Sequence, residues 1–225
     1  MKEPSNMNKE NIVLIGAGQH CHVVLYNTRE QNHYNVIGIL DGDPGKIGSF
    51  VEDIPILGTY EKETLERIKT EYNVHQFFIS FGAMKYRKAV FEYMVKQGWK
   101  PVNIIHPNAV ISPAAKIGKG VLIECGCLIT PNPVIGDNVV VNTGSQVNHD
   151  NIIEDHVYIA SGVILSGGVQ IAENSLIDDG VVVTLGTKVG ANCIIGAGAV
   201  VTRDIADHMI AYGNPCRVVR ENNKF

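Results

Sequence analysis

The sequence predicts an α/β N-terminal domain of Rossmann type followed by an all-β parallel β-helix. Two observations predict this fold: a βαβ order of apolar runs and helix-like segments up to residue 104, and an aliphatic residue at every sixth position from Ile105 to Val201. We therefore divide the 225 residues into a polar N-terminal tail (1–10), an α/β domain (11–104), the β-helix (105–206) and a C-terminal tail (207–225).

The N-terminal half alternates apolar runs with helix-like segments. Residues 11–15 are predicted to form a buried strand, followed by a helix to about residue 31 and a second strand over 36–40. A helix is predicted over 61–72, a strand over 76–80 and a last helix from about residue 85 to 97, before a short connector at 101–104. This order is typical of an open parallel sheet.

The first strand ends in the turn Gly16-Ala17-Gly18, which has two interpretations. It is either a tight βα turn without a ligand, or a place where backbone N–H groups approach an anion at a helix N-terminus. The third glycine of the dinucleotide fingerprint is replaced by Cys21, and nothing further along resembles a hydride-transfer site. Asp41 ends the second strand, where an acidic side chain can bond ribose hydroxyls, and Asp43 lies in the same loop.

The six-residue period of the second half excludes an amphipathic helix, because six steps of about 100° scatter apolar side chains over three faces. An even spacing keeps them on one face of a strand. Three residues after each aliphatic position stands a turn former: eight Gly, five Asn and two Asp, with only Ala114 and His156 outside that set. Gly and Asn enter left-handed backbone conformations at low cost, so the chain can bend once per repeat and stack on itself. These are the marks of a β-helix.

Composition restricts the partners. A net charge of −4 without a Lys/Arg cluster argues against nucleic acid or an anionic membrane. No apolar stretch approaches twenty residues and no leader is recognisable, so no membrane association is expected. Five scattered cysteines favour a reducing cytoplasm. Cys125 and Cys127 are expected to share a strand face, but no second ligand pair accompanies them, and we predict no metal site.

Three histidines lie in the repeats. His106 precedes Pro107 and is interpreted as a structural residue where the chain enters the first repeat. His156 stands three residues after an aliphatic position, where a turn is predicted, and is expected at an exposed corner. His149 stands one position before a turn and is followed by Asp150. A histidine can serve as a general base because its ordinary pKa lies near neutrality, although a lone histidine at a corner can also be surface decoration.

Four segments carry a resemblance that covers almost the whole chain: IVLIGAGQHCHVV, IGILDGDP, the VNT before NHD, and AYGNPCRVV. With the six-residue register, they resemble the hexapeptide-repeat acyltransferases. More narrowly, they are similar to the bacterial acetyltransferases of sialic-acid and nucleotide-sugar pathways, including N-acetyltransferases of nucleotide-linked 4-amino-4,6-dideoxy sugars. The resemblance implies a left-handed β-helix with three six-residue faces per coil, a homotrimer and a role in surface-glycan biosynthesis.

The resemblance also implies the site. His149 would be the general base for direct transfer from acetyl-CoA, and Asp150 would hold its imidazole; the family pair is often His-Glu, and here it is His-Asp. The N–H of Gly167 would polarise the thioester oxygen. CoA would lie in a groove between subunits near Tyr158, Gly167, Gly186 and Ala197. The nucleotide sugar would contact Gly16, Gly18, His20, Asp41 and Asp43.

Three alternative functions compete with this interpretation. O-acetylation of a sialic acid is the runner-up within the same family. A non-catalytic nucleotide-sugar-binding protein would keep the N-terminal domain without needing His149 and Asp150. A metalloenzyme on the same scaffold, such as a γ-type carbonic anhydrase, needs three converging histidines, and no matching third is found in the repeats. No cysteine or serine is placed as an acyl carrier, which disfavours a ping-pong route.

Overall fold

The computed structural model describes residues 9–223, and its N-terminal domain is a six-stranded sheet with three α-helices. The strands are β1 (Glu10–Ile15), β2 (Tyr34–Leu40), β3 (Phe50–Val51), β4 (Ile54–Gly58), β5 (Gln76–Ile79) and β6 (Lys100–Pro101). The helices are α1 (Gln19–Gln31), α2 (Lys62–Tyr72) and α3 (Met84–Lys96), with a 3₁₀ turn at Pro44–Lys46. The order β3-β4-β2-β1-β5-β6 is parallel throughout except for the β3–β4 hairpin.

The predicted parallel sheet is confirmed, and each predicted strand and helix of this domain is found within a few residues of its expected bounds. The β3–β4 hairpin was not predicted; Glu52 turns it with a positive φ of 55°. The connector 101–104 is shorter than expected, because β6 takes its first residue and the next strand its last. Residues 1–8 of the predicted N-terminal tail lie outside the described residues.

The second half is a three-sided prism of two-residue strands. The first face contains β7 (Ile104–Ile105), β10 (Leu122–Ile123), β13 (Val140–Val141), β16 (Tyr158–Ile159), β19 (Leu176–Ile177) and β22 (Ile194–Ile195). The second contains β8 (Val110–Ile111), β11 (Leu128–Ile129), β14 (Gln146–Val147), β17 (Ile164–Leu165), β20 (Val182–Val183) and β23 (Val200–Val201). The third contains β9 (Lys116–Ile117), β12 (Val134–Ile135), β15 (Ile152–Ile153), β18 (Gln170–Ile171) and β21 (Lys188–Val189).

The six-residue ladder maps directly onto this prism. Every one of the predicted aliphatic positions is the second residue of a strand, and from Ile123 onward each is at most 2% exposed. Leu122 pairs with Val140, eighteen residues on, so one coil is three repeats. Inward aliphatic side chains from the three faces form one continuous core, which supplies the hydrophobic free energy that two-residue strands lack by themselves.

We call the turns that follow the first, second and third faces the first, second and third corners. Of the seventeen residues that stand three positions after an aliphatic residue of the ladder, fourteen have positive φ, as the Gly/Asn pattern predicted. Asn108, Ala114 and Asp204 do not. The non-glycine members with positive φ include Asp150 (59°) and His156 (64°). Each corner is therefore a stack of similar bends, one per coil, on which side chains from successive coils lie above one another.

The N-terminal domain covers the first face. Leu122 and Val140 point outward from that face and are fully buried in a cluster that includes Val24 and Leu25 of α1. The outward row of the second face has no such cover: Val110, Leu128 and Ile164 are all exposed. The third face also exposes Val134 and Ile152, so the domain packing leaves apolar side chains uncovered on both remaining faces of the prism in the single chain.

The predicted C-terminal tail is folded against the prism. Strand β24 (Met209–Tyr212) extends the first face in parallel with β22, and β25 (Arg217–Glu221) pairs antiparallel with β24. This hairpin closes the end of the core, where Ala211 is fully buried. None of the helices in residues 9–223 has both the length and the apolar character that a membrane crossing requires.

Candidate active site

His149 and Asp150 lie at the second corner and form a pair. His149 Nδ1 donates to Asp150 Oδ2 at 2.9 Å, and Asn132, one coil earlier, donates from Nδ2 to Asp150 Oδ1 at 3.1 Å. The hydrogen bond from His149 and then that from Asn132 lower the pKa of Asp150. Both paired side chains are 60% exposed. With Nδ1 as the donor, Nε2 carries the free lone pair, which is the arrangement of a general base.

Gly167 lies directly against the His149 ring. A Cβ added to Gly167 would come within 2.3 Å of His149 Nε2, so no larger residue fits while the ring keeps this position. The Gly167 N–H has no hydrogen-bond acceptor among the described residues. Gly186 N donates to Gly167 O at 3.0 Å in the next coil. The predicted residues His149, Gly167 and Gly186 are thus stacked at one corner.

The Gly16–Gly18 turn is tight, and two of its three N–H groups are already used: Gly16 N donates to Leu40 O at 2.7 Å and Ala17 N donates to Asp41 Oδ2 at 2.6 Å. Gly16 has a φ of 109°, and a Cβ there would lie 2.5 Å from the Phe81 side chain. Gly18 is exposed and begins α1 as its N-cap, and no protein atom lies within 4 Å of an added Cβ. Helix α1 has no side-chain N-cap hydrogen bond, and the N–H groups of Gly18, Gln19 and His20 have no acceptor among the described residues, whereas Cys21 N donates to Gly18 O at 3.0 Å.

Asp41 and Asp43 hold the neighbouring loops. Asp41 Oδ2 accepts from Ala17 N at 2.6 Å, its Oδ1 accepts from Asp43 N at 3.0 Å, and Lys46 Nζ lies 3.1 Å from Oδ2. Burial acts to raise the pKa of Asp41, but these hydrogen bonds and the Lys46 charge outweigh it and lower the pKa. Asp43 Oδ1 accepts from Gly45 N at 2.9 Å and caps the 3₁₀ turn. Both carboxylates are therefore engaged in hydrogen bonds that fix the loops after β1 and β2.

A cleft of about 490 Å³ lies between α1 and the first corner. Its α1 wall includes His20, Tyr26 and Asn27, and its corner wall is formed by Glu124, Cys125, Asn142, Thr143 and Ser161. The cleft starts close to the Gly18 end of α1, so a ligand whose phosphates sit at the turn can extend along α1 into it. This region therefore contains a pocket, whereas the sequence predicted only residues that contact the nucleotide end of the ligand.

Behind the cleft residues His20 and Asn142 lies Tyr158, which contacts both. The ring centroids of His20 and Tyr158 are 6.1 Å apart, and Asn142 Nδ2 donates to Tyr158 Oη at 3.1 Å. Burial, and then the Arg87 charge, lower the pKa of His20 to about 4, so its ring is neutral at physiological pH. Burial raises the pKa of Tyr158. These side chains form a neutral polar wall under the N-terminal domain.

Glu124 forms the floor of the cleft and is 4% exposed. Its Oε2 accepts from Thr143 Oγ1 at 2.6 Å and from Thr143 N at 3.2 Å. Burial raises the pKa of Glu124. The two hydrogen bonds from Thr143 and the His106 charge act to lower it, but burial outweighs them. The fold therefore keeps a carboxylate at a position where desolvation disfavours its ionised form.

The structure separates two groups of predicted residues. His149, Gly167 and Gly186 lie at the second corner, whereas Ala197 lies at the first corner, and Tyr158 faces the N-terminal domain from the first face. The nucleotide-sugar residues Gly18 and His20 are on the first-corner side as well. Within one chain, the second face lies between the predicted base and the cleft.

Two expectations are corrected. His156 is not at an exposed corner: it is 5% exposed because α3 covers the third corner, with the Phe91 ring 5.6 Å away and Asn138 Nδ2 3.0 Å from its Nδ1. Burial lowers its pKa. Cys125 and Cys127 do not share a face, because they flank a corner turn; Cys127 is in the core and Cys125 lines the cleft. In residues 9–223 no group of three or more His, Cys, Asp or Glu side chains could hold a metal ion.

Sequence reasoning missed Glu124 and Asn142 as cleft residues and Arg87 behind them. Arg87 is 1% exposed and donates from one nitrogen to Ile79 O at 3.1 Å and Phe81 O at 2.9 Å, which fixes the loop that faces Tyr158. Glu124 and Asn142 each follow an inward aliphatic, eighteen residues apart, so the coil period is the signal that places them together. Nothing in the repeats shows which corner α1 covers.

Comparison with known protein families identifies both halves of the chain. Residues 11–94 match the PglD N-terminal domain, and residues 168–203 match the bacterial transferase hexapeptide family, described as six repeats. A curated relative, the redox-sensing transcriptional repressor Rex of Listeria welshimeri, is 32% identical over 83 residues. That match spans 37% of the repressor and 36% of this chain, so it concerns about a third of each protein.

Solved structures similar to this chain cover almost its whole length. A histidine-to-alanine variant of GDP-perosamine N-acetyltransferase from Caulobacter crescentus, in complex with CoA and GDP-perosamine, is 31% identical with a TM-score of 0.87, over 94% of this chain and 97% of that chain. The acetyltransferase domain of PglB from Neisseria gonorrhoeae, in complex with acetyl coenzyme A, is 32% identical with a TM-score of 0.84, over 94% and 100%. The predicted fold class, with a left-handed β-helix, is confirmed.

Proposed function

The chain belongs to the hexapeptide-repeat acetyltransferases with a PglD-type N-terminal domain, and on that premise we propose that it transfers an acetyl group from acetyl-CoA to the amine of a nucleotide-linked 4-amino-4,6-dideoxy sugar. One observation carries the proposal. His149, oriented by Asp150, presents Nε2 to a surface that Gly167 keeps bare. A base with an open approach is what proton removal from an attacking amine needs.

In the proposed reaction, the sugar amine attacks the thioester carbonyl while His149 Nε2 accepts a proton from the nitrogen. Asp150, within 2.9 Å of Nδ1, stabilises the imidazolium that forms. The Gly167 N–H, which has no acceptor among the described residues, donates to the developing oxyanion. The attack forms the C–N bond; collapse of the tetrahedral intermediate then restores the carbonyl of the amide, breaks the C–S bond and releases CoA thiolate, which takes the proton from His149.

The N-terminal domain holds the nucleotide in this proposal. The pyrophosphate lies at the Gly16–Gly18 turn, where the uncapped N–H groups of α1 are open. Asp41 and Asp43 hold the loops beside this turn, and the sugar extends past His20 into the cleft. Tyr158 faces this cleft through Asn142, so we assign it to the sugar side of the site and not to CoA.

A second copy of the chain brings the two corners together. The exposed apolar row of the second face, with Val110, Leu128 and Ile164, is the kind of patch that marks a subunit interface. If three copies close around an axis that this face lines, the first corner of one copy lies beside the second corner of the next. The cleft of one subunit then faces the partner's His149, and CoA lies in the groove between Gly167 and Gly186 on one side and the partner's Ala197 on the other.

The surrounding biology follows from the same premise. Relatives of this domain arrangement act on a nucleotide-linked amino sugar in Caulobacter crescentus, and we place this enzyme in bacterial surface-glycan biosynthesis. Cys21, Cys125, Cys127, Cys193 and Cys216 are all free thiols, which is typical of a reducing compartment, so the proposal places the reaction in the cytoplasm.

The experiment is a panel of UDP-, GDP-, dTDP- and CMP-linked sugars, with free sialic acid included, incubated with acetyl-CoA and read by mass spectrometry. The expected result is the gain of one acetyl on one nucleotide-linked amino sugar, with stoichiometric release of CoA thiol. Acetylation of sialic acid alone would replace the N-acetyltransferase with the O-acetyltransferase. Binding of a nucleotide sugar without thioester consumption would make the protein a non-catalytic binder.

A further inference from the structure

The cleft beside α1 contains polar atoms that the protein leaves without partners. Glu124 Oε1, Asn142 Oδ1 and His20 Nε2 are all buried, and none has a hydrogen-bond partner in the described part of the chain. A fourth, Asn27 Oδ1, belongs to the α1 wall of the same cleft. A buried polar atom without a partner costs about 1–3 kcal/mol. Eight further atoms of this kind lie elsewhere in the described residues, but these four are grouped around one cleft, where a polar ligand would offer them partners.

The chemistry of these atoms selects the ligand. Three of the four are carboxylate or amide oxygens, which accept hydrogen bonds, so the fitting ligand is one that donates. Hydroxyl and ammonium groups of a sugar are such donors. No lysine or arginine is among the residues that line the cleft. A ligand that carries its own carboxylate in this cleft would meet Glu124 without a cation to offset the repulsion.

Glu124 lies apart from the proposed acid–base pair. It lies at the first corner, whereas His149 and Asp150 lie at the second, with the second face between them. Its Oε2 is held by Thr143 through two hydrogen bonds, whereas Oε1 is buried and has no partner among the described residues. The Thr143 contacts also fix the carboxylate plane, so the acceptor direction is set before the ligand arrives.

We propose, resting on the function proposed above, that Glu124 is a specificity-determining residue that accepts a hydrogen bond from a ring hydroxyl or ammonium of the acceptor sugar and excludes sugars that carry a carboxylate. Asn142 and His20 complete the set of partners around the same ring. The cleft therefore discriminates by charge among nucleotide sugars and disfavours sialic and uronic acids as acceptors.

The test uses the full chain and measures binding by calorimetry without acetyl-CoA, so that failure of acetyl transfer leaves the readout intact. The probes are UDP- and GDP-linked 4-amino-4,6-dideoxyhexoses, together with glucose and glucuronic acid linked to whichever of these nucleotides binds more tightly. Glu124→Gln keeps the shape and the Thr143 contact site but removes the charge. We expect its Kd for the amino sugar to rise roughly tenfold to a hundredfold, the range for one lost hydrogen bond to a charged group.

The preference for the glucose-linked over the glucuronate-linked nucleotide should fall by a similar factor in Glu124→Gln. Glu124→Asp keeps the charge but withdraws it by one methylene, so it should lose affinity for the amino sugar and still reject glucuronate. Glu154→Gln is the matched control, because Glu154 holds the same place in its repeat at the third corner, away from the cleft. Its Kd values should equal those of the wild type.

A Kd for the amino sugar within twofold of wild type in Glu124→Gln, with an unchanged glucose-to-glucuronate ratio, would overturn the proposal. A drop in thermal stability with unchanged binding would assign Glu124 a purely structural role through Thr143. If the wild type binds the amino sugars as expected here but acetylates none of them, the acetyltransferase proposal fails and the role of Glu124 in recognition stands.

Discussion

Two corners of the same prism differ in how they hold their functional groups. At the second corner, His149 and Asp150 are each 60% exposed and pair with one another, and Gly167 leaves the imidazole edge open. At the first corner, Glu124 is 4% exposed and faces a cleft roofed by α1. The second corner holds the predicted base on an exposed surface, and the first corner borders a cleft that the predicted base does not line.

The difference shows how a regular repeat acquires a site. The β-helix supplies equivalent bends in every coil, so the local backbone does not separate the two corners. What separates them is packing: the N-terminal domain covers the first face and encloses the first corner, while the second corner has no cover within the chain. In the reaction proposed above, recognition depends on this domain packing, and the acid–base pair depends on a neighbouring copy to complete its surroundings.

The largest expected effect comes from removing the base at the exposed corner. His149→Ala should lower kcat by about 10²- to 10⁴-fold, the contribution typical of general base catalysis, with little change in melting temperature because the side chain is exposed. Thioester consumption and a thermal melt measure both. His75→Ala, at another exposed histidine in the loop before β5, is the control and should keep wild-type values for both. Wild-type turnover in His149→Ala would refute the assignment of the base.

A smaller effect is expected from crowding that base. Gly167→Ala places a methyl group 2.3 Å from the present position of His149 Nε2, so the ring must move. A displacement of this size costs about a hundredfold in kcat. The backbone of Gly167 does not require glycine, whereas Gly168 has a φ of 67°. Gly168→Ala should therefore lower the melting temperature, and Gly167→Ala should not; equal losses of stability in both would contradict the steric argument.

The third prediction concerns the pH dependence of the buried side. The folded-state pKa of His20 is about 4, below the ordinary 6.5, so between these pH values the unfolded chain binds a proton that the folded chain does not. Stability is therefore complete above pH 6.5 and falls as the pH decreases; between pH 7 and 5 the loss from this residue is about 2 kcal/mol at 1.36 kcal/mol per unit. Urea unfolding of wild type and His20→Asn at both pH values measures it.

The His20→Asn variant should lose less stability on acidification than the wild type, since it has no group that titrates at this position. His156 also has a lowered pKa and contributes equally in both proteins, so it cancels in the difference. Identical pH dependence in the two proteins would mean that the His20 ring is solvated and the cleft is open to water at this residue.

The β-helix could be predicted almost completely from the sequence, because each repeat reports its own geometry. The aliphatic column gave the inward positions, and the Gly/Asn column gave bends with positive φ that include Gly168 and Asn174. The β3–β4 hairpin could not be predicted, because Phe50–Val51 is too short to show an alternation of apolar and polar residues. Local pattern is sufficient where structure is set by near neighbours.

The site could be predicted only in part, since its residues depend on contacts distant in sequence. His149, Asp150 and Gly167 were recognisable and lie together at one corner. Glu124 was not, because its role depends on α1 lying over the first corner, and the burial of His156 depends on α3 in the same way. No repeat position records which helix will pack on it.

The central claim is that one site uses the second corner of one copy and the first corner of its neighbour. Coexpression of His149→Ala with Asn142→Ala, carried on differently tagged chains and purified through both tags, tests it directly. Each variant alone should be severely impaired. In a trimer that contains both variants, one of the three sites would combine an intact base with an intact cleft, so activity should return to roughly one third of wild type. Mixed oligomers as inactive as either parent would contradict the account and place both corners of each site in a single chain.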